Sequence, residues 1–125
     1  MESFLKFEKI KICDEYFIYL SNKEDCKFGY IHYVFYLEEK EVIISYIFIK
    51  PNYRKNGYGK LLFKEFFKHI IEIMQTENIK TLTIHLDDMS DRYGQSDNLY
   101  LKMGFKYYEE INGTPLAPEM YLILK

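Results

Sequence analysis

The 125-residue chain has no tryptophan, only two cysteines, and almost no excess of either charge, its formal net charge being -2. Each shortage excludes something. A near-neutral chain whose basic residues are spread along its length has no electrostatic footprint for sequence-independent binding to DNA or RNA, so no nucleic-acid partner is expected. Cys13 and Cys26 lack metal-ligand spacing and could close at most one bridge, which fits two reduced thiols in a cytosolic chain and calls for no metal. No stretch approaches the roughly 20 apolar residues that span a bilayer. Glu2, Lys6, Glu8 and Lys9 interrupt the apolar core a secretory leader would need. The expectation is a cytoplasmic protein without a membrane partner. Repeats and low-complexity tracts are missing too.

What is present is an aromatic, apolar chain: 13 Tyr and 10 Phe, with 48% hydrophobic residues in all, enough for a packed core and too much for disorder. The length fits a single domain, residues 1–125, which would bury roughly two-thirds of the surface its unfolded chain exposes.

Alternation predicts strands over Phe4 to Ile12 and Tyr16 to Leu20. Two β-branched and aromatic runs, Phe28 to Leu37 and Val42 to Ile49, separated by Glu38, Glu39 and Lys40, read as a hairpin. After Pro51 the period changes. Leu61, Leu62, Phe63, Phe66, Phe67, Ile70, Ile71 and Met74 form a wide apolar stripe at helical spacing, so a long helix starts near Tyr58. Thr81 to Leu86 returns to alternation. Ser96 to Met103 reads as a short helix ended by Gly104, and Phe105 to Ile111 and Met120 to Leu124 as two further strands. The order predicts an α/β (mixed α+β) fold, a central mixed twisted sheet flanked by helices, with the strands on either side of the long helix parallel.

The strongest local feature is Ile47-Phe48-Ile49-Lys50-Pro51-Asn52-Tyr53-Arg54-Lys55-Asn56-Gly57-Tyr58-Gly59-Lys60-Leu61-Leu62, where a strand ends, a loop carries two glycines, and the long helix begins. Glycines let main-chain N–H groups approach a bulky anion, and a helix start adds unpaired donors and partial positive charge. Arg54, Lys55 and Lys60 add full charges. The junction suits a phosphate or pyrophosphate; an ordinary helix start with two glycines is the plainer reading. A Walker loop would need Ser or Thr after Lys60 and finds Leu61. The dinucleotide fingerprint would need a third glycine where Leu62 stands.

Arg54-Lys55-Asn56-Gly57-Tyr58-Gly59 resembles the R/Q-x-x-G-x-G/A motif of the GCN5-related N-acetyltransferase (GNAT) superfamily, and Leu99-Tyr100-Leu101-Lys102-Met103-Gly104-Phe105 resembles its L-Y-x-K-x-G-F segment. The resemblance covers roughly residues 28 to 125. It implies acetyl-coenzyme A as cosubstrate, its pyrophosphate held by the amides of Asn56, Gly57, Tyr58, Gly59 and Lys60 with Arg54 and Lys55 nearby. It implies that the preceding strand splays from its neighbour, so that backbone groups around Phe48 and Ile49 pair with the pantetheine arm. It also implies that Tyr100 protonates the departing thiolate, though any one of so many tyrosines could simply fill the core. The expected reaction is direct acetyl transfer to a primary amine on a small molecule, peptide or protein, without a metal and without an acetyl-cysteine intermediate. The alternative is a degenerate relative that binds coenzyme A or a protein partner without turnover.

An ammonium acceptor must lose a proton to attack. Glu41 ranks first as base, because its spacing to Arg54 resembles that of the catalytic glutamate in the histone acetyltransferase branch. His85 serves equally well as a structural imidazole or a base. Asp87, Asp88 and Asp91 could attract a cation or simply line a solvated loop. The chain departs from the family in having only a short stretch after its first strand, where relatives carry two helices. This shortened N-terminal helical region predicts an open acceptor site, or one completed by a second subunit in a homodimer. The Asn and Ala that often precede the Leu-Tyr segment are not recognisable, Ser96 standing at the Ala position.

Overall fold

Period-2 patterning becomes a sheet, and the one long period-3.6 stripe becomes the helix that covers it. The computed structural model describes residues 5–22, 24, 26–54, 56–90, 92–95, 97–112 and 114–125. Four antiparallel strands come first: β1 (Leu5–Ile12), β2 (Glu15–Asn22), β3 (Lys27–Tyr36) and β4 (Glu41–Ile49). A single 3-10 turn (Pro51–Tyr53) leads to α1 (Tyr58–Thr76), which crosses to β5 (Leu82–Asp87). The sheet order is β1-β2-β3-β4-β5-β9-β6, where β6 is Lys106–Tyr107 and β9 is Glu119–Leu124. β4 and β5 are the parallel pair, as the crossover requires.

α1 turns Leu62, Phe63, Phe66, His69, Ile70 and Met74 inward. They meet the face of β2 to β4 that carries Ile18, Leu20, Ile31, Tyr33 and Ile44, all buried. Each such apolar side chain contributes about 1.5–3 kcal/mol through burial. The polar member of the stripe, His69, lies against the Tyr33 hydroxyl, 2.5 Å from its Nδ1.

Two sequence expectations are corrected. The short helix is only α2 (Leu99–Lys102). Asn98 caps it, its side-chain oxygen accepting from the Tyr100 and Leu101 amides, so the helix cannot extend back toward Ser96, which lies outside the described residues, as does Phe4. The strand expected over Phe105 to Ile111 breaks at Tyr108 and Glu109. Its second part, β7 (Glu110–Ile111), leaves the main sheet and pairs with β8 (Thr114–Pro115).

The link between β1 and β2 is the two-residue turn Cys13–Asp14, with Cys13 at φ 56°. No helices intervene, so the expected shortening is real. Both helices pack on the Ile18–Tyr33 side. The opposite face of β2, β3 and β4 presents two rows of directly opposed residues, Phe17–His32–Tyr46 and Tyr19–Tyr30–Phe48. Their rings touch in a continuous layer, with Phe17 stacked on His32 at 4.3 Å.

Candidate active site

β4 and β5 stay together only through Glu41↔Thr83, Val42↔Ile84 and Ile43↔His85, and then part. A bulge starts the divergence. The β3–β4 register steps from Tyr33↔Ile44 to His32↔Tyr46, leaving Ser45 as the extra residue, and such an insertion bends and twists its strand. The opening expected before the glycine loop is therefore built into β4.

Which backbone groups face that opening follows from the ladder. The Lys50 amide donates to the Phe28 carbonyl at 2.8 Å, so alternation along the register gives Tyr30↔Phe48 as a hydrogen-bonded pair and turns the groups of Ile47 and Ile49 away from β3. Of the two residues expected to offer backbone to a ligand, Ile49 faces the opening. Phe48 is tied to β3, and Ile47 takes its place. The Ile49 carbonyl already accepts from Nε of Arg54 at 2.8 Å, which holds the guanidinium over the Phe48 ring.

At the end of this strand, Gly57 adopts φ 79°, ψ 8° and caps α1 in a left-handed conformation that disfavours a side chain. The cap supplies no side-chain acceptor, and no acidic residue lies in the first turn. The Leu61 amide bonds back to the Gly57 carbonyl; the amides of Tyr58, Gly59 and Lys60 are the donors a helix start leaves over. Tyr58 is stacked on Phe28 at 5.3 Å, Lys60 is exposed, and Asn56 donates to the Tyr53 and Arg54 carbonyls. Lys55 lies outside the described residues.

Gly59 joins the two sequence signatures. A Cβ there would come within 2.7 Å of Leu99 Cδ2, so the first turn of α1 packs directly against the start of α2. Tyr100 follows, edge-on to Phe63 at 6.0 Å and to Phe105 at 6.5 Å. Burial first, then the nearby Asp88 carboxylate and Tyr46 phenol, push its hydroxyl up to about 12. A phenol so placed stays protonated near neutral pH and holds its proton more tightly than an ordinary tyrosine.

Three residues to which sequence reasoning gave no such role set the position of Tyr100. Asp88 is 2% exposed and accepts from Asn98 Nδ2 (2.7 Å), Tyr107 O–H (2.6 Å), and the amide and hydroxyl of Ser90. Asn98, fully buried, links this carboxylate to the α2 amides. Burial and the bond to Asp88 raise the Tyr107 hydroxyl to about 12. An asparagine just before a helix is a cap signal legible in sequence; the partnership with Asp88 across the loop is not.

On the other mouth of the opening is a hollow of about 510 Å³ lined by Ser45, His85, Asp87, Met89, Tyr108 and Glu119 among others. Glu41 stands behind His85, its Oε1 3.5 Å from Nε2. The structure thus brings Glu41 and His85 together and separates Asp88, committed to Asn98 and Tyr107, from Asp87 on the hollow's wall. Asp91 lies outside the described residues.

The family model described as acetyltransferase (GNAT) domain matches residues 13–107. This chain belongs to the GNAT acetyltransferase family. Solved GNAT structures share its fold. Tetrahymena GCN5 superimposes with TM-score 0.62 at 17% identity, covering 91% of this chain and 71% of that one. PaiA N-acetyltransferase from Thermoplasma acidophilum, in complex with coenzyme A, gives 0.59 at 21%, covering 86% and 60%. Mutant forms of the spermidine/spermine N-acetyltransferase SpeG from Vibrio cholerae give 0.67 at 12%, covering 97% and 94%. No curated protein matches in sequence. Among the described residues, no helix of this GNAT protein is long and apolar enough to cross a membrane.

Proposed function

We propose that this GNAT domain transfers the acetyl group of acetyl-coenzyme A to a primary amine by direct attack. The observation that carries the reading is the parting of β4 from β5 beside a helix start that has no side-chain cap, with Tyr100 at the same opening. The amides of Tyr58, Gly59 and Lys60 receive the pyrophosphate, where the helix dipole and the lack of a competing carboxylate favour an anion. Arg54 and Lys55 add charge. The outward backbone groups of Ile47 and Ile49 pair with the pantetheine arm as an added strand would. The thioester then lies in the opening, and Tyr100 protonates the sulfur as it leaves.

The family, and structural neighbours that include a spermidine/spermine N-acetyltransferase and a coenzyme A complex, support this reading. The test is thiol release from acetyl-coenzyme A across a panel of amines and lysine peptides. Release that depends on the amine and disappears in Gly57→Val/Gly59→Val supports it; release from acetyl-coenzyme A at the same rate without any amine counts against it.

A further inference from the structure

His85 occupies the wall between Glu41 and the hollow, and its two ring nitrogens face different ways. The Tyr108 oxygen is 2.7 Å from Nδ1, and the two rings lie nearly parallel. With the phenol donating, Nε2 keeps the ring proton. That nitrogen is buried, makes no hydrogen bond among the described residues, and faces Glu41 Oε1 at 3.5 Å. Tyr108 is 48% exposed on the hollow side and the Glu41 side chain is 45% exposed on the other. The three form a line from the hollow to solvent.

We propose that Tyr108, His85 and Glu41 relay a proton away from the acceptor ammonium when it sits in this hollow; the proposal rests on the transferase reading above. Asp87 and Glu119 on the wall attract the cation, while Met89 and Ile43 line the path of its chain. The other groups facing the relay are Tyr121, paired with His85 in the β5–β9 register and 4.6 Å from the Tyr108 ring, and Glu119.

The protons balance. One ammonium proton passes to the Tyr108 oxygen as the Tyr108 proton passes to Nδ1 and the Nε2 proton to Glu41; after the product leaves, the same shifts run in reverse, water in the hollow takes the proton from Tyr108, and His85 regains its resting tautomer. The free amine forms a C–N bond with the thioester carbonyl carbon. The C–S bond breaks, and the thiolate takes the Tyr100 proton. Tyr100 recovers a proton from the newly acylated nitrogen. Glu41 is thus the outer end of the path, with Tyr108 the group that touches the amine.

The test compares Tyr108→Phe and His85→Gln with wild type on n-pentylamine and on 2,2,2-trifluoroethylamine, a weakly basic amine that arrives unprotonated. With n-pentylamine at neutral pH, both variants lose about 100-fold in kcat/KM, and the deficit shrinks as pH rises and the amine sheds its own proton. With trifluoroethylamine, variants and wild type are alike, and acetyl-coenzyme A affinity is unchanged throughout. A deficit that is constant with pH and equal for both amines marks a structural role and overturns the relay, as does no deficit at all. Wild type that binds acetyl-coenzyme A and releases no thiol with either amine overturns the transferase reading, and the relay with it.

Discussion

On the α1 side of the β4–β5 opening, Tyr100 is wedged edge-on against Phe63 and Phe105, and its short helix is pinned by the buried Asp88–Asn98 pair. On the opposite side, Tyr108 stands half exposed over a shallow hollow, on a face that no helix covers among the described residues. The first mouth is rigid because the polar groups that anchor it, Asp88, Asn98 and Tyr107, are bonded to one another out of water. The second is open because β1 joins β2 through two residues. The difference fits a site that must hold one invariant cosubstrate in fixed register and admit a second, variable one.

The largest effect should come from destroying the cosubstrate mouth. Gly57→Val with Gly59→Val forces a side chain into a left-handed backbone and another toward Leu99. Calorimetry should show acetyl-coenzyme A binding weakened by about 100-fold or more, about 2.7 kcal/mol. Next, Tyr100→Phe keeps the ring packing and removes the proton, so kcat should drop about 100-fold in a thiol-release assay while acetyl-coenzyme A affinity is retained. Asn98→Ala removes the α2 cap and a hydrogen bond to a buried carboxylate. Chemical denaturation should report a loss of about 2–3 kcal/mol, and kcat should fall with it because Tyr100 loses its anchor. Equal loss of amine turnover from mutating either mouth, with no change in cosubstrate affinity in either, would erase the distinction between them.

The last effect concerns pH and lies away from both mouths. Burial first, then Lys9, lowers His69 to about 4 from an ordinary 6.5. The unfolded chain therefore binds a proton at a pH where the folded chain does not. The stability this neutral ring contributes is complete above about pH 6.5 and is lost as pH falls toward 4. The wild type should lose roughly 3 kcal/mol more than His69→Gln between pH 7 and pH 4, read from urea midpoints at each pH.

The elements with strong local periodicity were legible in the sequence: the α1 stripe, the β3–β4 hairpin, and the parallel pairing forced by the crossover between them. The region from Ser96 to Ile111 was not. Its helix start depends on Asn98 reaching Asp88 ten residues back, and its second strand pairs with Thr114–Pro115 rather than with the main sheet; neither partner choice is written in local pattern. For the site, the glycine and tyrosine motifs read in the sequence come together where Gly59 packs against Leu99, the mouth proposed for the cosubstrate. Glu41 was ranked by its spacing to Arg54, but its place behind the His85 imidazole depends on which strands lie side by side. A bulge of one residue at Ser45 exchanged Phe48 for Ile47 at the opening, a shift that alternation in sequence cannot show.

The account turns on whether an amine consumes acetyl-coenzyme A at this opening. The most direct measurement is thiol release by the wild-type chain on addition of a primary alkylamine to the acetyl-coenzyme A complex. The account predicts saturable, amine-dependent release accompanied by the N-acetylated amine. Tight binding of acetyl-coenzyme A with no release for any amine or lysine peptide would contradict it and leave a fold that holds the cosubstrate without using it.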